Sequence, residues 1–193
     1  MNREQLEMQE LAKAWLSEGC LILDTETTGL DSSAEIVEIS IIDHNGAIVL
    51  DTLIKPTKPI PADASKIHGI TDDMVANAPS FADIADEFFA IIAHKTMVIY
   101  NANYDIRIIE QTAKMHGIEQ ANYTKWDSDA QCAMLAYAQY YGQWDDYRDQ
   151  YKWQRLGNAA KQQGVIVEGK AHRALADVKM TLGIIQSMAQ EEI

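Results

Sequence analysis

Two acids separated by one residue, Asp24 and Glu26, close the short apolar run Leu21-Ile22-Leu23 and lead into the turn Thr27-Thr28-Gly29-Leu30. In an extended strand, side chains at i and i+2 point to one side, with Cα atoms roughly 6–7 Å apart at ~3.3 Å per residue. Carboxylates held that close need a cation, a shared proton or open water. A divalent metal makes the most productive use of them. Two further acids are placed to complete a ligand set. Asp105 shares the inward stripe of a predicted helix with Ile108, Ile109 and Thr112. An anion stabilising a helix start explains Asp105 equally well when it is taken alone. Asp177 is the sharper anomaly. It stands among Ala174, Thr181, Ile184 and Met188, on a helix face that is otherwise apolar or small. A carboxylate there is costly unless a cation or donors compensate it.

His172 lies five residues before Asp177. Oxygen-only ligands favour Mg²⁺ or Mn²⁺ over zinc. Two such ions, about 3.5–4 Å apart, clamp the attacking and leaving oxygens of an in-line displacement at phosphorus. A histidine, titrating near neutral pH, suits the base that deprotonates the attacking water. One other pattern overlaps these residues. Asp24, Glu26, Thr28, Gly29 and Glu35 occupy positions 1, 3, 5, 6 and 12 of an EF-hand-like loop. The residue types at positions 3 and 5 and the strand-like approach count against that calcium reading.

The elements that must position these groups fit one domain of 193 residues, with 47% hydrophobic residues for a core. Residues 1–19 are read as an N-terminal helical extension and 20–193 as the catalytic domain. Asn2 and Gln5 resemble a capping box, and Leu6, Leu11, Trp15 and Leu16 form a loose stripe up to Gly19. That helix is expected to pack on the sheet and to carry no chemistry. Strands are predicted over Cys20–Glu26, Glu35–Asp43 and Ala47–Ile54, the last two joined at Asn45-Gly46, which makes His44 a turn residue. Pro56, Pro59 and Pro61 make Lys55–Ile60 an irregular connection. Ser80 and Asp83 cap a helix with Phe81, Ile84, Phe88, Ile91 and Ile92 on its apolar face. A short buried strand follows at Met97–Tyr100, then a helix to about His116. Ala121–Asp129 is ambiguous, a short fifth strand leading into a helix through Cys132, Leu135 and Tyr140. The aromatic, acidic stretch Tyr141–Tyr151 reads as a surface insertion, either a partner or substrate surface or a packed loop. Leu156–Gln163 reads as a helix and Val165–Gly169 as a loop, and the last helix begins near His172. The pattern implies a mixed sheet flanked by helices, its parallel part made by crossovers.

The net charge of −13 argues against a general nucleic-acid coat protein but leaves room for an enzyme gripping a few nucleotides in a metal-filled pocket. Six Lys or Arg between Lys152 and Lys179 could meet phosphates or form a solvated face. No apolar run approaches a membrane span, and Met1-Asn2-Arg3-Glu4-Gln5 has no signal-like core. Cys20 and Cys132 are too few for a disulfide framework, so they are read as small buried hydrophobes in a reducing, cytoplasmic setting.

Three segments resemble the motifs of the DEDDh 3′–5′ exonucleases, the DnaQ-like family of proofreading exonucleases. Leu23-Asp24-Thr25-Glu26-Thr27-Thr28-Gly29-Leu30 is similar to the first, Asn101-Ala102-Asn103-Tyr104-Asp105 to the second and His172-Arg173-Ala174-Leu175-Ala176-Asp177 to the third. Ile67-His68-Gly69-Ile70-Thr71 matches a further segment of the proofreading-like branch. The resemblance implies a ribonuclease H-like α/β domain with a five-stranded mixed sheet, three antiparallel strands followed by two parallel ones. It implies that Asp24, Glu26, Asp105 and Asp177 bind two Mg²⁺ or Mn²⁺ ions and that His172 is the general base. Thr25, Thr27, Leu30, His68 and Asn101 would contact substrate, Thr27 near the terminal 3′-hydroxyl and Leu30 as a wedge against the last base. Tyr100 stands where many relatives have His, and Tyr104 replaces a usual Phe. The implied reaction is release of nucleoside 5′-monophosphates from a single-stranded or frayed 3′ end, with DNA favoured over RNA. A polymerase or other protein partner is compatible with it, a membrane is not expected, and the oligomeric state, a homodimer included, is open. The alternatives are an exoribonuclease and a non-catalytic binding module on the same fold.

Overall fold

β1 (Leu21–Thr27) is the middle strand of a five-stranded sheet ordered β3-β2-β1-β4-β5, where β2 is Ile36–Asp43, β3 Ile48–Leu53, β4 Met97–Ile99 and β5 Ala130–Cys132. The computed structural model describes residues 1–118, 130–167 and 172–190. β1 pairs antiparallel with β2, and β2 with β3, while β1–β4 and β4–β5 are parallel. The mixed five-stranded sheet expected from the sequence is therefore present. The ambiguous 121–129 stretch lies outside the described residues, and the fifth strand is Ala130–Cys132.

Alternation along β1 sorts its side chains between two layers. Leu21 and Leu23 pack with Ile39, Ile41, Phe81 and Phe88, under α4 (Phe81–Ile92) and α5 (Ala102–Met115). Ile22 packs with Ile42, Trp15, Val178 and Leu182 on the other face. That second layer is built from α1 (Arg3–Ser17), α6 (Ala133–Tyr141), α7 (Leu156–Gln162) and α8 (Ala174–Ala189). Each apolar side chain buried this way contributes roughly 1.5–3 kcal/mol. The same alternation sends Asp24 and Glu26 toward the α8 side and Thr25 toward α5.

α1 begins with the expected capping box between Asn2 and Gln5. It packs against α6 and α8, and its Ala12 and Trp15 are buried in the core those helices share with Ile22 and Ile42 of the sheet. Ser80 and Asp83 form a second capping box at α4. Two short helices were not expected, α2 (Ala62–His68) and α3 (Asp72–Val75). They cover a small third cluster of Val37, Ile60, Ala64, Ile70 and Val75 beside the carboxyl end of β1. Tyr141–Tyr151, read as a surface insertion, carries a small hairpin, β6 (Trp144–Asp145) with β7 (Gln150–Tyr151). Trp144 meets Tyr151 edge to face, Tyr151 bonds Glu4 of α1, and Tyr147 at the tip is 95% exposed. Among the described residues, no helix is long and apolar enough to cross a membrane.

Candidate active site

At the carboxyl end of β1 the register with β2 shifts between Glu26 and Thr27, a bulge of the kind that re-aims side chains next to active sites. Just before it, Asp24 and Glu26 meet Asp177 from the first turns of α8. Each offers a carboxylate oxygen, and the three oxygens lie within 4.8 Å of one another. Asp177 Oδ1 is buried with no hydrogen-bond partner among the described residues. An orphaned buried oxygen beside two more carboxylates is the donor set that a hard divalent cation fits.

Asp105, buried in the first turns of α5, approaches from the opposite layer. Its Oδ1 accepts a 2.7 Å hydrogen bond from the Thr25 hydroxyl, and its charge acts on Asp24. The structure thus brings all four acids to one place, three in immediate cluster and the fourth held at its edge. Burial, followed by repulsion from Asp105, Asp177, Glu26 and Glu38, lifts Asp24 well above the usual carboxylate range. Burial, with Asp177, Glu38 and Asp105 adding repulsion, pushes Glu26 up to about 8. Burial pushes Asp105 up to about 7 against the hydrogen bonds from Thr25, and Asp177 up to about 6 against the His172 charge and backbone N–H. Four acids that resist ionisation in one place are a strong electrostatic demand for a cation.

His172 is exposed and holds a left-handed backbone, φ 62°, two residues before α8 begins. A non-glycine residue there is uncommon and costs conformational energy, and such strain gathers at functional sites. α8 starts at Ala174, near His172 as predicted, and the histidine sits on the turn leading into the helix that carries Asp177.

A cleft of about 660 Å³ opens beside the acids. Thr25, Thr27, Leu30, His68 and Asn101 all line it. Thr25 reaches it while its hydroxyl is committed to Asp105. Leu30 projects at 79% exposure. His68, at the end of α2, is buried, and its Nδ1 accepts from the Ile70 N–H at 3.0 Å. The loop carrying Leu30 is braced by one face of α5. The Tyr104 hydroxyl lies 2.6 Å from Thr27 Oγ1 and donates to the Gly29 carbonyl at 2.9 Å. Arg107 Nη2 donates to the Leu30 carbonyl at 3.1 Å and Gln111 Nε2 to that of Asp31 at 3.2 Å. Glu35, the twelfth position of the calcium-loop pattern, is buried and accepts from the Thr57 N–H and hydroxyl at 2.9 and 2.7 Å. It takes no part in the acid cluster.

The RNase_T family model, Exonuclease, matches residues 21–185, which span every element that supplies the site. The chain belongs to this exonuclease family. It is 50% identical over 184 residues to the uncharacterized exonuclease CP81 of Escherichia phage 186, covering 95% of this chain and 94% of that relative. It is 36% identical over 169 residues to the DNA polymerase III subunit epsilon of Treponema pallidum, covering 86% and 74%. Among solved structures, exonuclease X in complex with 5′ overhanging duplex DNA superposes with a TM-score of 0.63 at 28% identity, covering 88% of this chain and 90% of that one. The fold is ribonuclease H-like and the DEDDh resemblance holds. The protein is therefore a nuclease of the exonuclease type, and the divalent-metal dependence of the family suits the acid cluster.

Sequence reasoning passed over Glu38, and it noted Arg173 and Tyr104 without giving either a contact. Glu38 of β2 pairs in register with Glu26, so both side chains lie on the α8 face. It holds Arg173, one of the six basic residues that had been candidates for phosphate contact. The signal for Arg173 was its place in the His172–Asp177 motif. The signal for Tyr104 was its departure from Phe, which adds the hydroxyl that ties the Leu30 loop.

Proposed function

We propose that the protein is a Mg²⁺- or Mn²⁺-dependent 3′–5′ exonuclease that removes nucleoside 5′-monophosphates from single-stranded or frayed DNA ends. The observation that carries this reading is the convergence of the Asp24, Glu26 and Asp177 carboxylates beside a cleft floored by Thr25–Leu30. In it, Asp24, Glu26, Asp105 and Asp177 hold two ions, whose charge offsets the developing negative charge at phosphorus. The 3′-terminal nucleotide enters the cleft, with Thr27 near its hydroxyl and His68 and Asn101 along the wall. Leu30, exposed on its braced loop, packs against the terminal base.

His172 accepts the proton of the attacking water on its imidazole. The water oxygen bonds to phosphorus, and the bond from phosphorus to the 3′-oxygen of the preceding nucleotide breaks. The leaving 3′-oxygen takes a proton from solvent, so the shortened strand keeps a 3′-hydroxyl, and the released nucleotide carries the 5′-phosphate. The exposure of His172 gives water and substrate access to it. With a net charge of −13, the chain relies on bound cations and the terminal nucleotides for grip rather than on a basic face. The similarity to a DNA polymerase III epsilon subunit supports DNA as substrate and association with a polymerase.

The test is digestion of 3′- and 5′-labelled single-stranded DNA, duplex DNA and RNA, with Mg²⁺ and with chelator. A DNA ladder shortening from the 3′ end only when metal is present is the expected result. Preferential RNA trimming would overturn the substrate class. Inert substrates throughout would overturn the catalytic reading in favour of a binding module.

A further inference from the structure

We propose that Glu38 and Arg173 are a positioning pair that sets His172 and Asp177 for the reaction, an inference resting on the catalytic reading above. Arg173 is the N-cap residue of α8, yet its side chain makes no capping bond there. The cap comes from another element. Glu38 Oε2, on β2, accepts the Ala174 N–H at 2.9 Å, while the Arg173 Nε lies 3.0 Å from both Glu38 oxygens and Nη2 bonds Oε1. One carboxylate therefore binds the guanidinium by two nitrogens and the first backbone N–H of the helix together. Such a fork fixes direction as well as distance, which a lysine ammonium would not do.

Its placement gives the pair its role. Glu38 is 3% exposed and sits opposite Glu26 in the β1–β2 ladder, so the anchor and one member of the acid cluster share a rigid frame. Arg173 adjoins His172, whose left-handed backbone must be held by its surroundings. The Asp177 N–H bonds back to the Arg173 carbonyl at 3.0 Å, so the first turn of α8 carries the constraint on to Asp177. Charge completes the role. Arg173 is a cation next to Glu38, Asp51 and Glu26, and it offsets the charge of Glu38, the fifth carboxylate beside the other four. Neither residue touches the reacting atoms in this scheme. Both act through His172 and Asp177.

The two partners should consequently affect metal binding in opposite directions, which a purely structural role would not produce. Mn²⁺ affinity of the substrate-free full chain is measured by calorimetry, alongside kcat and KM on a 3′-labelled oligonucleotide and thermal melting. In Glu38→Gln the guanidinium is left uncompensated beside the acids, so Mn²⁺ should bind about tenfold more weakly. In Arg173→Met the carboxylate of Glu38 is left unpaired, so Mn²⁺ should bind at least as tightly as in the parent. Each should lower kcat about 10- to 100-fold, the usual effect of losing a supporting contact, with KM within about twofold. The double variant Glu38→Gln/Arg173→Met should recover Mn²⁺ affinity while kcat stays low. Arg173→Lys, which keeps the charge without the fork, serves if Arg173→Met does not fold, and should retain Mn²⁺ affinity with reduced kcat. Parental kcat in a folded Arg173 variant, or Mn²⁺ affinity weakened alike in both single variants, would overturn the proposal. If the parent chain degrades no nucleic acid, the catalytic reading fails first, and the sign of the two Mn²⁺ shifts still decides whether the pair balances charge at the acid cluster.

Discussion

Thr25 on β1 donates its hydroxyl to Asp105 on α5 at 2.7 Å, joining the sheet to the helix layer that lies away from α8. Two layers therefore meet at the acid cluster, one delivering Asp177 and the other Asp105. Thr25→Val keeps the β-branched shape suited to the strand but takes the hydroxyl donor from a buried carboxyl that is left with backbone N–H bonds alone. A stability loss of about 1–3 kcal/mol in urea unfolding is expected. Activity should fall about tenfold or more as Asp105 loses its orientation. Parental values for both would show that the bond is incidental.

Tyr104 can be separated from its hydroxyl cleanly. Tyr104→Phe keeps the ring under Arg107, whose guanidinium carbon lies 5.3 Å from the ring centre, and removes the bonds to Thr27 and Gly29. The cost in folding should be about 0.5–1.5 kcal/mol. The kinetic effect should appear chiefly as a raised KM for short single strands, because the Leu30 loop loosens while the acids stay in place. A change confined to kcat would argue against the loop as the seat of the terminal nucleotide.

Asp24 and His172 should separate metal holding from proton transfer. Asp24→Asn removes a charge that four neighbouring acids repel, so the chelator-treated protein should melt at a higher temperature even as activity falls by more than about 100-fold. His172→Ala should lower kcat by about 10²–10⁴-fold while Mn²⁺ binding is unchanged. Calorimetry and melting curves on both variants check the pair. A His172 variant with parental kcat would remove it from the role of base.

The pH dependence of stability follows from the raised carboxyls. Glu26 at about 8, Asp105 at about 7 and Asp177 at about 6 all lie above their ordinary values near 4. Between those limits the folded chain binds more protons than the unfolded one, so its stability falls as pH rises. With chelator, the melting temperature should therefore decline from about pH 5 to about pH 8. Metal binding needs the deprotonated acids and strengthens with pH, so Mg²⁺ should offset that decline. A melting temperature that climbs across the range in chelator would contradict the electrostatics of the cluster.

Much of this site was legible because its chemistry is local in sequence. The Asp24–Glu26 spacing reads directly as one face of a strand, and Asp177 declares itself by standing in an apolar stripe. The β1–β2–β3 order follows from β-branched runs and the Asn45-Gly46 turn. Glu38 was illegible for the opposite reason. Within Ile36–Asp43 it looks like an ordinary polar position of a strand, and its partner Arg173 lies 135 residues away. α2 was hidden as well. Seven residues directly after Pro61 are too few to show a helical period, and their burial is decided by contact with Val37 and Ile70. The Tyr141–Tyr151 hairpin could be flagged by composition, but its tie to Glu4 at the start of the chain depends on how α1 docks.

The docking of α8 also has a meaning for synthesis. Asp24 and Glu26 leave the ribosome early, whereas Asp177 and the Arg173 that meets Glu38 leave only after all five strands of the sheet. A chain made only as far as the fifth strand therefore has three of the four acids, Asp24, Glu26 and Asp105, and no His172 beside them. On the proposed mechanism it is chemically silent, and the capacity to cut arrives in one late step, when the last helix closes onto β1 and β2.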